Sequence, residues 1–170
     1  YPVASNVKKD FFNLAEVYLD AVFHPLLTED IFRREGHHFT LENNADPASA
    51  LRLSGVVYSE MKGASSMPER LMFRLAEGGL FPDTPLGRDS GGDPDRIPDL
   101  TYGQFLRFHR DIYHPANGLF FIYGDIPTAE HLRFLAPALN GFERREAHVA
   151  TPRQPRWTAP RRIEKDYPVG

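Results

Sequence analysis

Gly55-Val56-Val57-Tyr58-Ser59-Glu60-Met61-Lys62-Gly63 is the stretch on which the fold turns. Val57, Met61 and Ala64 recur at helical spacing, and Leu71 and Leu75 continue the stripe, so a long helix is expected over residues 55–77. Gly63 and Pro68 lie inside that span, and a kink is expected near Pro68. Glu60 falls beside the stripe, three positions after Val57 and one before Met61. A carboxylate there needs a cation, a donor or a metal, because burying it unpaired costs several kcal/mol. As a functional carboxylate, its expected place is a polar notch on the sheet side of the helix. Position alone leaves two readings open, a functional carboxylate or a helix acid that reaches solvent or pairs with Lys or Arg.

Outward from this helix, Phe11, Leu14, Ala15, Tyr18, Leu19 and Val22 predict a helix over residues 8–23, ended by Pro25. Thr28 followed by Glu29 and Asp30 caps a shorter helix to about Glu35, stopped by Gly36. His37 to Glu42 alternates as a strand, Asn43 to Pro47 is turn chemistry, and residues 51–54 are ambiguous. Residues 78–98, dense in Gly, Pro, Asp and Ser, predict a long irregular loop. Thr101 with Gln104 opens a helix to about Tyr113, closed by His114-Pro115. A strand is predicted over residues 119–123, a turn over 125–127 and a helix over 128–139. Residues 141–160 read as a basic, proline-rich connector to a final strand over 161–170.

Helices interleaved with a few short strands define an α+β chain, with helices packed on one face of a mainly antiparallel sheet. The strands are too few for the helices, and Tyr1-Pro2-Val3-Ala4-Ser5 enters ordered-looking sequence at once. The expectation is a single partial domain over residues 1–170, truncated at its N-terminal side.

A chain of 170 residues with 41% hydrophobic and 25% charged residues has material for one core, and a net charge of -3 gives no field that attracts nucleic acid or anionic membrane. No apolar run approaches the length of a membrane span. Without cysteine, any metal must be held by histidine and carboxylate. The seven histidines are poorly spaced for that. Neighbours His37 and His38 point to opposite faces of a strand, and His109 and His114 are rotated by about 140° on a helix. His24, His131 and His148 are isolated and read as surface residues.

Other motifs dissolve on inspection. His109-Arg110-Asp111 with Asn117 misses the kinase catalytic-loop spacing by one residue and lacks that family's other signatures. Ser90-Gly91-Gly92-Asp93-Pro94 is a tight turn before it is an anion nest. Arg144, Arg145, Arg153, Arg156, Arg161 and Arg162 are broken up by prolines and read as solvated linker.

Taken in order, Tyr1 to Ser5, Asp10-Phe11, Val17 to Phe23, Arg34-Glu35-Gly36, Gly55 to Gly63, Leu80 to Asp83, Asp89 to Pro94, Ile97 to Tyr102, Tyr113 to Asn117 and Tyr123-Gly124-Asp125 resemble the first domain of pitrilysin-type (insulinase-family) zinc metallopeptidases, in the presequence-protease branch. The resemblance implies an endopeptidase that degrades unfolded oligopeptides such as presequences in a chamber formed with the remaining domains of its chain. It implies zinc held by two histidines of an H-x-x-E-H helix and by a later glutamate, here Glu60. This sequence contains no H-x-x-E-H, so the general base is expected upstream of Tyr1 and no catalytic residue is expected in the chain itself. Alone it is expected to be inactive and to bind no zinc tightly, with self-association through an exposed sheet edge. Leu53 replaces an acidic residue that other relatives carry seven positions before the ligand. The rival expectation is a non-catalytic pitrilysin-fold subunit that clamps peptide or supports an active partner. The compartment would be cytoplasm in a bacterium and an organelle matrix in a eukaryote.

Overall fold

A computed structural model describes residues 1–147 and 152–167. The chain forms two compact units, Thr28–Tyr102 with residues 152–167, and Tyr1–Leu27 with residues 103–147.

The first of these units opens at α2 (Glu29–Ile31), where the Thr28 hydroxyl accepts a hydrogen bond from the Ile31 amide. A π turn, Phe32–Gly36, follows. Strand β1 (His38–Leu41) pairs antiparallel with β2 (Leu51–Ser54), His38 opposite Ser54 and Leu41 opposite Leu51. The intervening turn is built by side chains. Asn43 accepts from the Ala45 amide and Asp46 from the Ala48 amide, two local bonds that replace ladder pairing. The ambiguous residues 51–54 are therefore a strand, and these two strands form a small antiparallel sheet.

Gly55 then turns the chain into helix α3 (Val56–Ser65) at φ +144°, and a β-carbon there would lie 2.2 Å from the Gly36 carbonyl oxygen. Only glycine permits this approach. It brings the start of α3 against the end of the π turn.

The expected single kinked helix over 55–77 is instead two helices, α3 and α4 (Pro68–Leu80). Met67 is extended at ψ 127°, as a residue before proline prefers, and Pro68 occupies the first turn of α4, where its missing N–H costs nothing. The Ser66 hydroxyl donates to the Gly63 carbonyl at 2.6 Å and helps to close α3. Beyond α4, the predicted loop is irregular apart from its first residues, which still belong to the helix, and two 3-10 turns, Pro85–Gly87 and Ile97–Asp99. Residues 161–167 form no strand, and 168–170 lie outside the described residues. The segment 152–167 is held through side chains instead: Trp157 donates to the Leu80 carbonyl at 3.1 Å, and the Tyr167 hydroxyl donates to the Ser66 carbonyl.

The other unit contains α1 (Lys8–Phe23), the body of α5 (Tyr102–Ile112) and α6 (Thr128–Leu139). Phe12 meets Phe134 with ring centres 5.0 Å apart, and Phe23 meets Phe142 at 5.2 Å. His131, expected at the surface, is 7% exposed, its ring among those of Phe11 and Phe12. It shares the inward stripe of α6 with Phe134, Leu135 and Ala138, whereas Leu132 is exposed. His148 lies outside the described residues.

Residues 119–123 were expected to be a strand. They alternate as one, with exposures of 94, 40, 84, 39 and 92%, but no ladder forms on them among the described residues. Phe120 and Ile122 line a cleft of about 900 Å3 within this unit.

Candidate functional site

Glu60 occupies the second turn of α3. Met61, the next residue, is buried at 8% exposure, and the two side chains leave the helix about 100° apart. Helix α3 therefore turns one face into its unit and presents Glu60 on another. The polar notch is not found. Glu60 is exposed, and so are Val56 and Val57 at 54% and 37%, because Met61 alone of the α3 residues is buried. Among the described residues no hydrogen bond or ion pair engages the Glu60 carboxylate.

Four histidines have structural work. His37 donates through Nε2 to the Leu100 carbonyl and His38 through Nδ1 to that of Arg33, both at 2.9 Å. His109 donates through Nε2 to the Val22 carbonyl at 2.9 Å and stacks on Tyr113. His114 accepts the Ala116 amide at Nδ1. Buried His131 has no partner for Nδ1 among the described residues. No group of three or more His, Asp or Glu side chains converges among the described residues.

A catalytic zinc takes about three protein ligands. The described residues thus do not make a zinc site by themselves. Glu60 offers a single oxygen donor: its carboxylate is exposed, has no protein partner among the described residues and stands on a regular helix. Leu53, in β2, pairs with Phe39 and offers no polar support.

Beside Met61 lies the Asp89 to Asp95 turn. A β-carbon on Gly91 would come within 2.1 Å of Met61 Sδ, so the bare backbone of the turn is pressed onto that side chain. Asp89 holds the turn. Its carboxylate accepts the Gly91 amide at 3.0 Å and takes Arg70 of α4 on both oxygens at 2.9 and 3.1 Å. Burial alone would push its pKa up; the Gly91 amide, Arg70 and Arg74 outweigh that and hold it below the ordinary carboxylate value. One helical turn along α4, Arg74 reaches Asp93 at 3.5 Å. The tight turn was legible in the sequence, but its two ion pairs were missed. Their signal was an equal offset: Arg70 to Asp89 and Arg74 to Asp93 are each 19 residues apart.

A family model described as the Peptidase M16 inactive domain matches residues 99–168. Protein HypA of Clostridium perfringens is 46% identical over 149 residues, covering 86% of this chain and 15% of that protein. Presequence protease 1, chloroplastic/mitochondrial, of Arabidopsis thaliana is 42% identical over 174 residues, covering 100% and 16%, and the mitochondrial presequence protease of Danio rerio is 46% identical over 162 residues, covering 95% and 16%. The chain belongs to the M16 (pitrilysin-type) peptidase family. It spans about 15–16% of the length of these curated relatives. The matched residues 99–168 do not include α3 or Glu60. Among the described residues no helix is long and apolar enough to cross a membrane.

Proposed function

We propose that this M16 chain contributes Glu60 as one carboxylate ligand of a zinc centre whose other ligands lie outside the 170 residues, in an endopeptidase acting on unfolded oligopeptides such as presequences. The observation that carries the reading is the block Gly55 to Gly63, which resembles the glutamate helix of presequence proteases and stands here on the regular helix α3; the Glu60 carboxylate within it has no protein partner among the described residues. A bound zinc would supply Lewis acidity for peptide hydrolysis. This chain's part is to hold a charged oxygen donor at a fixed place on a helix. In domain terms, residues 1–170 would be the C-terminal two thirds or so of the first metallopeptidase domain.

The test is Glu60→Gln in the full-length protein. Loss of bound zinc and of peptide turnover, with the circular dichroism spectrum unchanged, is expected; near-normal turnover of a quenched peptide at limiting zinc contradicts the reading.

A second reading, a non-catalytic pitrilysin-fold subunit, is favoured by the match of residues 99–168 to a domain described as inactive. The full-length sequence separates the two, since an H-x-x-E-H motif belongs to the enzyme alone. Peptides and the remaining domains of the protein are the partners of the first reading. Self-association is supported by the short two-stranded sheet, whose Phe39 and Leu51 are 70% and 65% exposed. The names of the eukaryotic relatives support an organelle matrix in a eukaryote, and the cytoplasm is the compartment proposed for a bacterium.

A further inference from the structure

We infer that the turn from Asp89 to Asp93 is a positioning clamp for α3, with Gly91 and Met61 as its contact and Asp89 with Arg70 as its anchor. The inference rests on the reading of Glu60 as a metal ligand and adds what fixes that ligand in place.

A carboxylate on a helix is aimed by two settings, the rotation of the helix about its axis and its position along that axis. The start of α3 is fixed by Gly55 against the Gly36 carbonyl, and beyond it few side chains of the helix are buried. Met61 is its only buried residue, and Val56, Val57 and Glu60 are exposed. The one side chain that α3 buries meets the backbone of Gly91, where a β-carbon would sit 2.1 Å from Sδ and 2.9 Å from Cε. Adjacent positions on a helix share one rigid backbone, so a displacement of Met61 carries Glu60 with it.

The turn is stiff enough to act as a stop. Asp89 is 14% exposed and bonds to both the Gly91 amide and the Arg70 guanidinium; Asp93 accepts the Asp95 amide at 3.0 Å, and its carbonyl takes the amides of Arg96 and Ile97, each at 2.8 Å. Gly92 packs against Ile97, which is 5% exposed. Arg70 and Arg74 tie the whole turn to α4. Thus α4 holds the turn, the turn holds Met61, and Met61 sets the second turn of α3, beyond the start that Gly55 fixes.

The experiment compares zinc affinity of the full-length protein, by competition with a chromophoric chelator, in the wild type, Glu60→Gln, Gly91→Val, Met61→Ala and the Met61→Ala/Gly91→Val double variant. Melting of the zinc-free proteins is measured alongside. Gly91→Val is expected to weaken zinc binding about ten- to a hundredfold, the usual scale for groups that orient a ligand. Met61→Ala removes the atom that the new side chain strikes, so the double variant should recover affinity relative to Gly91→Val. A merely structural role would lower melting without this rescue of affinity. If Gly91→Val does not fold, Gly91→Ala carries the same prediction, because its methyl falls on the same sulfur. Glu60→Gln losing zinc while Gly91→Val keeps wild-type affinity overturns the clamp alone, as does a double variant no tighter than Gly91→Val. Glu60→Gln keeping wild-type affinity overturns the ligand reading and the clamp with it.

Discussion

Replacing Asp89 should loosen the turn over Met61 by an amount that depends on how much of the carboxylate is removed. In the native protein the group is 14% exposed, takes Arg70 on both oxygens and accepts the Gly91 amide. Asp89→Asn keeps an oxygen for that amide but loses the charge. A charged hydrogen bond contributes about 1.5–3 kcal/mol when shielded, and a half-exposed pair less than about 1. This pair lies between the two, with Asp89 14% and Arg70 44% exposed, so about 1 kcal/mol is expected for Asp89→Asn. Asp89→Ala also strips the Gly91 amide of its acceptor, which adds about 1–2 kcal/mol. Hydrogen exchange of a peptide spanning residues 88–97, in the full-length protein, reads these values as local opening. Opening should rise about 5-fold in Asp89→Asn and about 30-fold or more in Asp89→Ala. The native carboxyl has a pKa held below its ordinary value, so its contribution is complete above the unfolded-state pKa and fades as pH falls through the folded one. Exchange in the wild type, corrected for intrinsic rate, should approach that of Asp89→Asn in acid. Wild-type protection in both variants at neutral pH would refute the anchoring role.

Three further outcomes follow from the same geometry. Gly55→Ala should destabilise the protein by about 3 kcal/mol or more in thermal melting, since a methyl group at φ +144° is strained and would lie 2.2 Å from the Gly36 oxygen. Tyr113, bonded to the Tyr1 hydroxyl at 2.9 Å and partly buried, has its pKa pushed up to about 12; its stabilisation should hold below pH about 10 and disappear as pH rises through 12, and Tyr1→Phe should move the tyrosinate absorbance midpoint down. The 170-residue chain by itself should show no submicromolar zinc site by calorimetry and no metal-dependent peptide cleavage, because one carboxylate is too few ligands.

Local rules carried the reading of the helices a long way. The apolar spacing of α1 and α6 marked both helices, and Thr28 caps α2 as its position suggested. The break between α3 and α4 was available in the same terms, because a residue before proline resists helix; the stripe running from Val57 to Leu75 hid it. His131 was misplaced by residue type, although its spacing with Phe134, Leu135 and Ala138 marks the inner face of α6. Residues 119–123 show the limit of local rules. Their alternation is an intrinsic pattern and appears in their exposure, whereas strand pairing requires a second segment that no local pattern specifies. The same holds for the site. The Glu60 block could be picked out from its neighbours in sequence, but the polar notch and the Arg70 and Arg74 pairs depend on contacts between distant residues.

Zinc bound per chain in the full-length protein, measured by plasma mass spectrometry after dialysis against a weak chelator, tests the role of Glu60 most directly. The wild type should retain about one zinc, and Glu60→Gln should lose it while keeping its circular dichroism spectrum. A Glu60→Gln protein that holds as much zinc as the wild type would contradict the assignment.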